Sequence, residues 1–164
     1  MDLYGWVVFG HVVAVILGLG AHGASAFAMF RVRRETDRAR MAAILEMSSS
    51  SLIAASVGLL VAIVLGIVAA VMGGHFAKFW PWAAIIVLVI VIGSMTPLAG
   101  IPMSNLRRAL GMAVQGDKKG APARVPGTDE EIAAAVAKIR LELPAGIGVI
   151  GVGILTWLME AKPF

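Results

Sequence analysis

Two histidines, His11 and His22, are the side chains in this sequence best suited to chemistry, because each interrupts a long run without formal charge. They stand eleven residues apart, and a helix carrying both would return them to nearly the same azimuth about 16 Å apart. One metal ion cannot be held by both at that separation, but two sites, one in each half of a bilayer, can. A neutral imidazole offers one lone pair to iron or copper and one N–H that needs an acceptor. The same predicted face carries Ala14, Gly18, Ser25 and Met29. Its small residues admit a flat ring such as a porphyrin, or the backbone of a second helix with the stripe Gly58, Ala62, Gly66 and Ala70. His11 and His22 therefore have three readings: interhelical hydrogen bonding, ligation of haem or a metal, and proton or substrate handling.

Little else in the chain carries recognisable chemistry. His75 falls in a short polar link and is expected to be solvated. The nine methionines are scattered, which fits packing better than a copper or haem ligand set. No cysteine is present, which removes disulfides, thiolate metal sites and thiol nucleophiles together. Phosphate-loop, nucleophile-elbow and zinc-protease patterns are absent, as are paired carboxylates inside the apolar runs. No catalytic residue and no dedicated metal site is predicted. Pro97 and Pro102 each delete a backbone hydrogen bond and, with Asn105, form a candidate hinge or the wall of a polar cavity. Gly146, Gly148, Gly151 and Gly153 strip bulk from one segment and make a candidate packing face, within the chain or between subunits.

The elements that must position these residues are legible from the charge pattern. Leu3 to Phe30, Met47 to Gly74 and Phe79 to Leu106 are each 28 residues without Asp, Glu, Lys or Arg, and Leu143 to Met159 adds 17. A bilayer core about 30 Å thick needs roughly 20 helical residues. The chain is 59% hydrophobic and 15% charged, well outside the range of soluble domains. We therefore expect one all-α domain, a transmembrane antiparallel four-helix bundle, with helices at about 3–30, 42–73, 80–106 and 129–160. Ile85 to Ile92 has strand-like composition, but a lone spanning strand leaves its backbone unsatisfied in lipid, so helix is expected there too. The fourth span extends backward along Ile132, Val136, Ile139 and Leu143, with a kink or a fresh start near Pro144. Thr128 and Glu131 carry a capping-box signature that opens it. Residues 115–127, rich in Gly and Pro, are expected to form a mobile loop.

Twelve of the fourteen basic residues fall in the first and third links, leaving Lys78 and Lys162 on the other side. By the positive-inside rule those links are cytoplasmic and both termini lie on the outer side, with Tyr4, Trp6, Trp80, Trp82 and Trp157 at the outer interface. The expected location is a bacterial inner membrane, crossed several times. Ala24-Ser25-Ala26 looks like a signal cleavage site, but the arginines follow the apolar run instead of preceding it, so the segment is expected to stay as a helix. Glu46 is expected to pair with a nearby arginine.

The stretch Trp6 to Phe30, followed by Arg31, Val32, Arg33 and Arg34, resembles the first helix of a group of small bacterial four-helix membrane proteins. The group comprises copper-resistance-D-like proteins, membrane haem-binding protoporphyrinogen-oxidase-like proteins and an uncharacterised integral membrane family, the best match. The likeness extends to the segment Pro97 to Arg108. It implies a four-helix bundle and a haem-ligand role for His11. An intramembrane basic residue typical of the oxidase relatives, and the Met- and His-rich features of a copper importer, are missing here, so neither activity is carried over. The functional expectation is a membrane protein without catalytic machinery that binds haem or a metal through the first-helix histidines. The alternatives are a small transporter or channel subunit, or a scaffold or accessory subunit of a larger complex. The lipid bilayer is the expected partner, with a homo-oligomer or larger membrane assembly open and no specific nucleic acid.

Overall fold

The computed structural model describes residues 1–114, 116–118 and 124–163. Residues 115 and 119–123 of the loop expected to be mobile lie outside the described residues. The chain is all-α. Helices α1 (Leu3–Val32) and α2 (Arg38–Met72) lead through a 3₁₀ turn (His75–Ala77) into α3 (Trp80–Met95). A π-helical turn (Thr96–Gly100) joins α3 to α4 (Ile101–Ala109), and α5 (Asp129–Ala137) and α6 (Glu142–Ala161) complete the chain. Four stretches, Leu3–Val32, Arg38–Met72, Trp80–Ala109 and Asp129–Ala161, are long and apolar enough to cross a membrane.

Helices α1, α2 and α5 begin where a side-chain oxygen takes an orphan amide. Asp2 accepts from the Gly5 N–H and Asp37 from the Arg40 N–H, both at 2.8 Å. At the head of α5 the capping box forms reciprocally: Thr128 Oγ1 accepts from the Glu131 N–H at 3.2 Å, and Glu131 Oε2 from the Thr128 N–H at 2.9 Å. Helix α2 stops at Gly73, and Gly74 turns the chain with φ +64, a conformation that disfavours any Cβ. Pro81 sits in the first turn of α3, where its missing N–H is harmless. The fourth span makes a fresh start: α5 ends at Ala137 and α6 opens at Glu142, with Pro144 buried in its first turn.

Packing is pairwise and antiparallel. Helix α1 pairs with α2, α3 with α6, and α4 with α5. Most buried positions in α1 (Ala14, Gly18, Ser25, Ala28, Val32) and α2 (Met41, Leu45, Ser48, Ala55, Ala62, Ala69) recur in steps of three, four or seven, the seam of a left-handed coiled pair, with Met29 and Ala70 buried beside it. Small residues bring the two backbones together at Gly18 and Gly58. Across the α3–α6 pair, Gly151 lies against Val91. The two halves join at the arginine-rich end through an apolar core that includes Met29, Val32, Leu45, Leu106, Ile132 and Ile139. Elsewhere the large apolar side chains point outward: between 6% and 22% of each span's apolar window is buried. That inside-out distribution suits a hydrocarbon solvent and would be untenable in water.

Candidate functional site

His11 lies half-buried in α1 against α2, at the aromatic end of the pair. Its Nδ1 is 2.7 Å from the Ala62 carbonyl oxygen. A carbonyl can only accept, so Nδ1 carries the hydrogen, and in the neutral ring Nε2 keeps its lone pair. Gly66 makes the room: a Cβ there would stand 2.9 Å from His11 Cε1 and 3.0 Å from Nδ1. Nε2 makes no hydrogen bond among the described residues, and no buried side-chain nitrogen or oxygen among them lacks a partner. The free nitrogen is therefore accessible from outside the helix pair. This is the arrangement that orients ligating histidines elsewhere, where one ring nitrogen is tied to a backbone carbonyl and the other is offered to a metal.

His22 does not share this setting. It is exposed, one step off the seam that buries Gly18 and Ser25, and makes no hydrogen bond among the described residues. The polar contact inside that stretch of seam is instead Ser25 Oγ to Ser48 Oγ, 2.8 Å and buried. His75, expected in solvent, is half-buried: its Nε2 shares a 3.1 Å hydrogen bond with the Tyr4 hydroxyl, and its ring lies 5.4 Å from that of Trp80. This cluster locks the first turn of α1 to the link between α2 and α3. Each residue was visible as an interfacial aromatic or loop histidine, but no spacing rule pairs positions 4 and 75. Among the described residues, no three His, Asp or Glu come together as a metal site.

At the opposite end the arginines act as clamps between helices. Arg107, its side chain 12% exposed, reaches from α4 to the first part of α2: Nη1 donates to the Leu45 carbonyl at 3.0 Å and to Ser49 Oγ, and Nη2 to Glu46 at 3.1 Å. Its Nε donates to the Ala113 carbonyl at 3.1 Å. Glu46 thus has the arginine partner expected for it. Arg38 donates to Asp129 and to the Gly127 carbonyl, and Arg33 to Glu142. The Glu35 carboxylate accepts from the Asp37 and Thr36 amides, which hold its pKa below the usual carboxylate value.

Pro97 lies in the π-helical turn, where the Ile101 N–H reaches back to the Thr96 carbonyl, and Pro102 opens α4. The two prolines thus fall in and just after a local widening of the helix. Asn105 lines an open cleft between α4 and α5. The glycines of α6 divide: Gly148 and Gly151 face α3, whereas Gly146 and Gly153 have nothing within 4 Å of where a Cβ would be.

Fold and site together define a small multi-pass α-helical membrane protein. No family model, curated protein or solved structure matches the chain.

Proposed function

We propose that the chain is a non-catalytic membrane protein that presents His11 Nε2 as an axial ligand to haem iron, in the half of the bilayer nearer the aromatic end. The observation that carries this is the Nδ1–H···O=C bond to Ala62, which fixes tautomer and ring orientation while leaving Nε2 free and reachable. The surroundings fit an apolar macrocycle: α1 and α2 carry no Asp, Glu, Lys or Arg between Leu3 and Phe30 or between Met47 and Met72. Bound haem would supply redox or gas-binding chemistry, and this chain would contribute the imidazole and a water-poor face. On this reading both termini and the His75 cluster lie on the outer side of a bacterial inner membrane, and the arginine-rich links are cytoplasmic.

The test is the absorption spectrum of protein purified from haem-replete cells. A Soret band is expected that is lost in His11→Ala and retained in His22→Ala, because the exposed His22 ring has nothing to orient it. A colourless wild-type preparation overturns the proposal. Gly146 and Gly153, open on the outward side of α6, favour a second reading in which this face docks another subunit.

A further inference from the structure

We propose that the cleft between α4 and α5 binds a phosphate anion. It is an open cleft of about 480 Å³ at the arginine-rich end, remote from His11. Arg108 lines its α4 side and Lys138 its α5 side, over a floor that includes Ala109 and Ala135. Unlike Arg33, Arg38, Arg107 and Arg124, these two cations have no carboxylate partner among the described residues. Arg108 Nη1 donates to Asn105 Oδ1 at 3.0 Å, which leaves the asparagine's NH₂ and the rest of the guanidinium fork as free donors. Among the described residues lining the cleft, Glu131 is the one carboxylate; its Oε2 accepts from the Thr128 amide in the capping box, and its charge offsets one of the two cations. Donors from both walls, and two cations against one carboxylate, leave the lining net positive and suit a bidentate contact to two phosphate oxygens, for which an arginine fork is well matched.

The level in the membrane fits as well. Arg108 is 28 residues beyond Trp80, about 42 Å of helix rise, close to the roughly 40–45 Å of a bilayer with its headgroups. The cleft therefore sits at the headgroup boundary opposite the tryptophans, with its apolar floor continuous with the α4–α5 core. The phosphate can come from an anionic lipid headgroup or from solution.

The experiment uses the full chain in neutral detergent and measures binding of phosphatidylglycerol and of phosphatidylcholine by native mass spectrometry. Phosphatidylglycerol is expected to bind about tenfold or more tightly, because the choline ammonium is repelled by Lys138. Each of Arg108→Gln and Lys138→Gln is expected to weaken it by about tenfold through loss of a charge-assisted contact. Arg140→Gln, the same charge change on an exposed residue outside the cleft, is expected to leave binding unchanged. Displacement of the lipid by millimolar inorganic phosphate assigns the site to free phosphate, and failure to displace it assigns the site to the headgroup. Equal binding of the two lipids overturns the proposal without any variant. So does wild-type affinity in a variant carrying both Arg108→Gln and Lys138→Gln, or an equal loss in Arg140→Gln. His11→Ala, which tests the haem reading, leaves all these outcomes in place.

Discussion

Replacing Gly58 by leucine separates α1 from α2, whereas the same change at Gly20 leaves the pair intact. A Cβ on Gly58 would fall 2.8 Å from Gly18 Cα, 3.0 Å from Gly18 N and 3.3 Å from the Ala14 carbonyl, all of them backbone atoms that no rotamer can move. Carbon–carbon contact is comfortable at about 3.5–4.0 Å, so the helices must part by roughly 0.7 Å or more. Even alanine sets an overpacking cost of about 1–3 kcal/mol against a helix-propensity gain of about 1 kcal/mol. Leucine adds three more carbons to the same collision, so the clash wins. At Gly20 a Cβ meets nothing within 4 Å, and leucine there only fills lipid. The assay is thermal unfolding in detergent, with a second readout from Ser25→Cys plus Ser48→Cys. Those hydroxyls are 2.8 Å apart, and the chain has no other cysteine to confuse an oxidative cross-link. Gly58→Leu is expected to lower the melting temperature and slow the cross-link; Gly20→Leu is expected neither to lower the melting temperature nor to slow the cross-link. Equal destabilisation by both, or full-rate cross-linking in Gly58→Leu, would refute the close backbone approach.

Arg107→Lys is expected to destabilise by about 2–3 kcal/mol despite keeping the charge, since one ammonium cannot serve acceptors on α2 and beyond α4 at once; chemical unfolding in detergent measures it. Tyr4→Phe is expected to cost about 0.5–1.5 kcal/mol and to raise amide exchange around His75, because the turn loses its tie to α1. Acid is expected to loosen the link between α1 and α2. The folded pKa of Glu35 is depressed, so its contribution is present above the unfolded carboxyl value of about 4.3 and is lost as pH falls through the folded value. Protection of the Thr36 and Asp37 amides, measured against Glu35→Gln, should converge with the variant in acid and exceed it at neutral pH; equal protection at neutral pH removes the carboxylate from the account.

Span number and helical character were legible from charge-free length, because lipid leaves the backbone no partner but itself. Capping at Thr128 was legible because it is local. So was the new start near Pro144, since a proline ring and a missing N–H act over a single turn. The Arg107 clamp and the Tyr4–His75 bond were not, since each joins residues 58 to 71 positions apart and rests on how helices stack. Nor could composition show that the two helix pairs meet mainly at one end. Outward-facing leucine and isoleucine look the same in sequence whether they meet lipid or a neighbouring helix.

The two histidines show where a correct rule was applied in the wrong frame. Eleven residues at 100° leave two side chains about 20° apart on an isolated straight helix. Helix α1 is not isolated: its seam with α2 repeats every 3.5 residues, so each residue advances about 103° relative to the partner. Over the same eleven residues the offset grows to roughly 51°, enough to carry His22 off the contact while His11 stays on it. The buried positions Ala14, Gly18, Ser25, Ala28 and Val32 follow that seam and pass beside position 22, with Met29 buried next to it where the two halves of the molecule meet. Partner packing thus separates two imidazoles that look equivalent in sequence. It gives one of them a backbone carbonyl, a glycine-shaped niche and a free nitrogen, and leaves the other facing outward.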